Sequence, residues 1–540
     1  MARTMAAAAI LGLCGCAMAQ PLVNPPEGTD VPRSLTAEER AWLAEHPILP
    51  SEAATPAPTG PVRCVGEYEP MEALLVAWDG TSAQNTILQA IAKEVTTRGG
   101  SMYIAVDSTG EQGTVTTSLT TAGVVMSRVK FVVTTTDSIW IRDYGPRYIY
   151  QGNVRAIVDH TYNRPRPNDD LFPVAFARNR GHARYELALT HGGGNYHLSG
   201  LGDSYATNLI ANENPTLTQP QIIQIWKDYQ NVDTHLFDPF PTSVDSTQHI
   251  DMWMQIIGDR KVVVSDWDAN RGSTQDTICN AAAAYMASQG YTVARTPARR
   301  SGGVHYTYAN MVVFNDLVLV PRYSAIADTI DEQARAAIAA LVPGKTIVQI
   351  AGDALATSAG VFHCVAMHVP ANKNGTSPGV YITSMRDNPT LTPGASATIG
   401  WASDDDVAPT KIDLYLSTDG GGTFDQTIAL NRPPVNSGSN VGSFVWTVPQ
   451  VFAPEAVVRA VVTDASGNTS TDEVSVYING VPCTADVTRD GRVDFGDFLG
   501  FFNCYDVSEG PGSECADLDG NPGVDFGDFL AFFNGYDSGC

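Results

Sequence analysis

The chain has 540 residues, with 58 acidic against 33 basic side chains and a formal charge of −25. At roughly 100–200 residues per domain this length predicts three or four units. The 43 % apolar content excludes wholesale disorder. The negative balance argues against nucleic acid or anionic lipid as a partner. Twelve acidic and two basic residues fall between Val481 and Cys540, so ten of the excess charges sit in the last sixty residues.

In chain order, Arg3, the apolar run Met5 to Leu13 and the small residues Ala17-Met18-Ala19 predict an export signal over residues 1–19, cleaved before Gln20. Cys14 and Cys16 also allow a lipid-attached form, and a buried N-terminal helix is the alternative to a signal. No later run is long enough to span a membrane. A secreted, extracellular protein is expected, with association at the cell surface as the alternative. Removing the signal leaves Cys64, Cys279, Cys364, Cys483, Cys504, Cys515 and Cys540. An odd count in an oxidising compartment flags one unpaired thiol. Pairing Cys64 with Cys279 would leave Cys364 as that thiol.

Residues 20–60 form a Pro-rich segment that reads as linker, apart from one helix beginning after Thr36, with Glu39 completing a capping box. Residues 61–376 alternate short β-rich and helical runs, which predicts an α/β domain. The strand runs are Ala73–Trp78, Met102–Val106, Val129–Thr134, Lys261–Ser265 and Met311–Val320. The helical runs are Ile87–Val95, Asn280–Ser288 and Ile330–Leu341. Residues 377–480 lack helical periodicity. Their five strand candidates between turn clusters predict an immunoglobulin- or fibronectin-III-like sandwich serving as spacer or glycan-binding module.

Residues 481–540 contain a repeat of period 31, with VDFGDFLGFFNCY at Val493–Tyr505 and VDFGDFLAFFNGY at Val524–Tyr536. Each repeat closes an acidic loop. Asp486, Thr488, Asp490, Asp494 and Asp497 occupy positions 1, 3, 5, 9 and 12 of the first, and Asp517, Asp519, Asn521, Asp525 and Asp528 those of the second. Arg492 and Gly523 stand at position 7. Such spacing points hard oxygen ligands at a common Ca²⁺ centre. The duplicated loop and helix resemble a type I dockerin, which implies a cohesin-like docking partner. Pro522 at position 6 of the second loop and aspartate at position 12 depart from the true EF-hand pattern.

Chemistry is expected within residues 64–370, in four clusters. Trp140 to Pro146 holds Arg142 beside Asp143. Tyr162 to Asp170 holds Arg164 and Arg166 between prolines. Gln248 to Trp253 puts His249 and Asp251 two apart, on one face of an expected strand. Phe362 to Val365 contains Cys364. A thiol, an imidazole and two carboxylates suffice for nucleophilic attack on a cationic group.

In order and spacing, TDSIWIRDYGP, TYNRPRPNDDLFP, HGGGNY, QHIDMW, YTYANMVVFNDLVLVP and FHC resemble the Porphyromonas-type peptidylarginine deiminases and, more distantly, the agmatine deiminases of the guanidine-modifying superfamily. The resemblance covers about residues 64–375. It implies a pentein fold, a five-fold pseudosymmetric α/β propeller, and places the guanidinium-binding carboxylates on Asp143 and Asp251. It places the general acid/base on His249, the active-site asparagine on Asn310 and the nucleophile on Cys364. Arg164 and Arg166 are then the pair that holds a substrate carboxylate, with Trp140 beside them. On the residues alone they could equally pair with Asp169 and Asp170. The implied activity is hydrolysis of an arginine-containing peptide or protein, preferably at a C-terminal arginine, to citrulline and ammonia, with no cofactor for catalysis. Agmatine deimination is the alternative; a Cys-His-Asn protease and a non-catalytic scaffold are the competing classes.

Overall fold

The computed structural model describes Pro26 and residues 28–50, 54–437, 441–480, 483–489, 493–507, 516–521 and 524–538. The expected signal and its cysteines lie outside these residues, as do Cys515, Cys540, Asp490, Arg492, Pro522 and Gly523.

Between residues 62 and 370 the chain builds five small sheets. Each has a short antiparallel strand pair, a helix, and a third main strand returning parallel to the pair's second. One unit joins Arg147–Gln151, Val154–Tyr162 and Ala183–His191 through the helix Pro167–Arg180. The same pattern recurs around the helices Gln219–Gln230, Thr274–Ser288 and Asp328–Leu341. The fifth unit is assembled from both ends: Met367–Pro370 pairs antiparallel with Met71–Ala77, which continues through Ser82–Thr97 to Ser101–Val106. The last strand thus closes the domain onto its first unit.

Local chemistry explains the elements. Ser82–Thr97 starts at a capping box of Thr81 and Gln84 and buries Ile87, Leu88, Ile91 and Val95, one face at helical spacing. Met311–Val320, expected as one strand, is instead a hairpin, Val312–Phe314 and Leu317–Arg322, because Asn315 turns the chain in the left-handed region (φ 53°). Asn315-Asp316 interrupts the apolar run at the turn, and the strands on either side are both buried.

Residues 379–478 form a three-stranded and a five-stranded sheet around their own core of Ile399, Trp401, Leu414 and Val458. Asp404 on this unit reaches into the first, accepting from Arg155 at 2.8 Å and from His182 at 3.0 Å, all three buried. Two helices follow, Phe495–Val507 and Phe526–Ser538, with Phe501 and Phe532 stacked 4.3 Å apart. Cys483 and Cys504 are disulfide-bonded. Cys64 and Cys279 are both free and buried, so the pairing considered for them is not made, and among the described residues Cys364 is free as well. No described helix is long and apolar enough to cross a membrane.

Candidate active site

Each of the five units is entered by a tight turn, and all five turns meet at one place. Ile141–Tyr144 supplies Asp143, Gly193–Asn195 supplies backbone, and Ile250–Met252 supplies Asp251 with His249 at its cap. The stretch before Val312 supplies Asn310, and His363–Val365 supplies Cys364. His249 and Asp251 therefore sit on a 3₁₀ turn rather than on a strand. The residue before His249, Gln248, has a left-handed backbone (φ 60°), which costs free energy and aims the imidazole inward.

At the centre of this ring of turns lies the guanidinium of Arg33, from the N-terminal segment. Its Nε and Nη2 donate to the two oxygens of Asp143, both at 2.8 Å. Its Nη1 and Nη2 donate to the two oxygens of Asp251 at 3.0 and 2.9 Å. Nη2 is also 2.9 Å from His249 Nδ1, and Nη1 is 2.6 Å from Cys364 Sγ. Arg33 is completely buried. Two carboxylate forks on adjacent edges of one planar cation fix both its position and its plane.

The glycines of His191–Asn195 make that approach possible. A Cβ on Gly194 would stand 1.8 Å from Arg33 Nη2, and one on Gly192 would stand 2.7 Å from His249 Cε1. Gly194 N–H also donates to Asp143 Oδ1 at 3.0 Å, and Asn195 Oδ1 accepts from Ile250 N–H, tying the second turn to the third. Asn310 Nδ2 donates to Cys364 Sγ at 3.1 Å and to the Asp251 carbonyl at 3.2 Å.

Behind the site, Arg142 binds Glu67 at 2.7 Å rather than its neighbour Asp143. Glu67 in turn takes His363 Nε2 at 2.8 Å, and His363 Nδ1 reaches Asp251 Oδ2 at 2.9 Å. This buried string orients Asp251. Glu67 lies outside the motifs that drew attention, and only its place three residues after Cys64 at the domain's start could have hinted at it.

Electrostatics follow from the geometry. Burial would raise both aspartates, yet Arg33 and the histidines more than offset it and hold Asp143 and Asp251 below the usual carboxylate range. Burial pushes the Cys364 thiol well above its ordinary value; the two carboxylates add to that rise and Arg33 opposes it. A thiolate here therefore depends on a cation in the site.

The peptide around Arg33 lies in a groove of polar contacts. Trp140 Nε1 donates to the Val31 carbonyl at 2.7 Å, Arg166 Nη2 to that of Pro32 at 2.9 Å, and Arg164 Nε to that of Arg33 at 3.2 Å. Arg33 N–H donates to the Ser358 carbonyl at 2.9 Å. Asp30 accepts from Gln84 and Ser358. Arg166 further binds Glu39 at 2.8 Å, and Glu39 completes the capping box of Ala37–Glu45. Arg164 and Arg166 thus hold peptide carbonyls and a side-chain carboxylate, and neither guanidinium donates to the carboxylate of Asp169 or Asp170 among the described contacts. Asp169 instead accepts from Asp137 N–H, Ser138 N–H and Ser138 Oγ, and Asp170 from Tyr162 N–H. Residues 28–34, expected as linker, are a structured part of the site, and the helix expected after Thr36 follows them as Ala37–Glu45. Arg33 lacked any motif of its own.

The sequence profile of the Porphyromonas-type peptidyl-arginine deiminase family matches residues 63–370. The chain belongs to this family. It shares its chemistry class, hydrolysis of guanidinium C–N bonds. The agmatine deiminase of Ectopseudomonas mendocina is 25 % identical over 292 residues, covering 45 % of this chain and 77 % of its own. The agmatine deiminase structures of Enterococcus faecalis (19 % identity, TM-score 0.51) and C. jejuni (16 %, TM-score 0.50) each match 58 % of this chain and 96 % of theirs, and share its fold.

In the C-terminal repeat, Asp497 accepts from the N–H groups of Thr488 and Asp494, and Asp528 from those of Asp519 and Asp525. The two loops thus repeat one bonding pattern. Carboxylate oxygens of Asp517, Asp519 and Asp528 lie within 4.8 Å of one another. Three like charges so close, all with hard oxygen donors, suit a divalent cation.

Proposed function

We propose that the protein is an exported peptidylarginine deiminase that hydrolyses the guanidinium of an arginine within a peptide to citrulline and ammonia. The observation that carries this reading is the Arg33 segment: a mid-chain arginine seats its guanidinium between Asp143 and Asp251 while Trp140, Arg164 and Arg166 take three successive backbone carbonyls. Agmatine has no backbone to offer those donors. A terminal carboxylate is not needed to engage Arg164 and Arg166, so the expected restriction to C-terminal arginine is dropped.

The mechanism uses the chain's own groups. The bound cation favours the thiolate, so that Cys364 gives up its proton to His249, and Asn310 Nδ2 supports the resulting thiolate. With the guanidinium held in place, the thiolate attacks its central carbon. His249 Nδ1, beside one terminal nitrogen, protonates that nitrogen as ammonia departs. Water then adds to the thiouronium carbon, His249 takes its proton, and the sulfur leaves as thiolate. The five turns place these groups around a common centre, in keeping with a five-fold propeller.

The agmatine deiminase reading, giving N-carbamoylputrescine, is favoured by the similarity to curated enzymes of that name. For the remaining units the reading is a β-sandwich spacer and a dockerin-like repeat that takes Ca²⁺ through the Asp486 and Asp517 loops and docks to a cohesin-like partner. The deiminase reading is tested by equal release of citrulline and ammonia from an arginine peptide. Loss of both in Asp143→Asn and in Asp251→Asn is expected; citrulline formation unaffected by either change would refute it.

A further inference from the structure

We infer that Arg33 is the enzyme's own first substrate: the chain deiminates itself at this residue and thereby clears its active site. The inference rests on the deiminase reading and extends it from an external peptide to the N-terminal segment.

Every group assigned to chemistry already touches the Arg33 guanidinium or the Cys364 sulfur beside it. Nothing in these contacts separates an inhibitor from a substrate. A pseudosubstrate avoids turnover by lacking the reactive group, and Arg33 has it. Held within the same chain, the segment also outcompetes dilute external peptide through its high effective concentration. While it is seated, external arginine has no place to bind.

The step balances as ordinary hydrolysis. A bond forms between Cys364 Sγ and Cζ of Arg33. The bond from Cζ to Nη2 breaks, and ammonia leaves with a proton from His249, whose Nδ1 is 2.9 Å from that nitrogen. Water replaces sulfur on Cζ, returning a proton to His249 and the electron pair to the thiolate. The Arg33 guanidinium cation and one water become neutral citrulline and ammonium, with no oxidant or reductant.

The product undoes its own binding. Citrulline carries no charge, so Asp143 and Asp251 lose the cation that compensates them in a buried place. Leaving such charges unpaired is strongly unfavourable. The helix Ala37–Glu45 buries none of its residues, so what still holds the segment is the set of polar contacts to Asp30, to the Val31, Pro32 and Arg33 backbone and to Glu39. Release of the segment then exposes the groove of Trp140, Arg164 and Arg166 to external peptide.

The test uses the full chain and peptide mapping by mass spectrometry at residue 33. Wild-type protein should carry citrulline there, or acquire it on incubation, at a rate independent of protein concentration. Cys364→Ala should keep arginine. Any lag in turnover of an external arginine peptide should match the conversion of Arg33 and vanish in Arg33→Gln, which imitates the uncharged product. Wild-type protein that turns over external peptide while residue 33 stays arginine overturns the inference and leaves the deiminase reading intact. Conversion that speeds up with concentration overturns the intramolecular route. Absence of citrulline from both Arg33 and external peptide overturns both readings.

Discussion

The guanidinium of Arg33 lies 2.6 Å from the sulfur of Cys364, although 330 residues separate them in sequence. That contact orders the rest of the site, because the cation it brings offsets two buried carboxylates and opposes the burial that keeps the thiol protonated.

Cys364→Ser is expected to abolish citrulline formation while leaving the fold and its melting temperature nearly unchanged. Serine fits the space, but a hydroxyl is a far weaker nucleophile near neutral pH. A serine variant retaining more than a small residue of activity would remove Cys364 from the nucleophile's role.

Arg166→Ala should raise KM for an arginine peptide while leaving agmatine turnover largely unchanged, since Arg166 reaches a peptide carbonyl and a neighbouring carboxylate but not the guanidinium. One lost charge-assisted hydrogen bond corresponds to about 1–3 kcal/mol, or about a ten- to hundredfold effect. Equal losses on both substrates would show that the change acts through the fold.

Much of this arrangement was readable from residue types, and some was not. Asp143, Asp251, His249, Asn310 and Cys364 each lie in a short motif whose order matches the family, so their meeting needed only the fold. The glycines of His191–Asn195 showed in sequence as a run, but the need for them arises from the guanidinium and imidazole packed against them in three dimensions. Arg33 left no local signature, because its role comes from a contact across the whole domain. Arg164 and Arg166 were visible as a pair, while their partners were not: Glu39 reads only as a helix-capping residue, and the carbonyls of Pro32 and Arg33 belong to a segment whose proline content reads as linker. Residue type announces a donor, and only the fold says what it donates to.

Asp79 gives a pH prediction away from the site. Burial, then the nearby Asp169, Asp107 and Asp137, push its carboxyl up to about 9 from an ordinary 3.8. An acid whose pKa is raised on folding contributes stability fully below its unfolded value and loses it as pH rises through the folded one. For Asp79 that window runs from 3.8 up to about 9. Asp79→Asn should therefore leave Tm unchanged near pH 4 and raise it at pH 8. A gain of about 2 kcal/mol is expected, less than full linkage because the neighbouring carboxylates share protons, and worth about 2–4 °C per kcal/mol. A pH-independent effect on Tm would contradict this origin.

Chelation of Ca²⁺ should reduce the helical signal of Phe495–Val507 and Phe526–Ser538 and leave peptide deimination unchanged, because the Asp486 and Asp517 loops lie outside the five sheets that carry the site. Activity lost to chelator and restored by Ca²⁺ would place the ion in the catalytic domain instead.

The central claim is that the groove reads a peptide around the guanidinium. The most direct measurement is kcat/KM in the Arg33→Gln chain for an arginine peptide blocked at both ends, set against kcat/KM for agmatine. Three backbone carbonyls held by Trp140, Arg166 and Arg164 predict that the blocked peptide wins by about tenfold or more. If agmatine is turned over as well as the peptide or better, the account is contradicted and the agmatine deiminase reading takes its place.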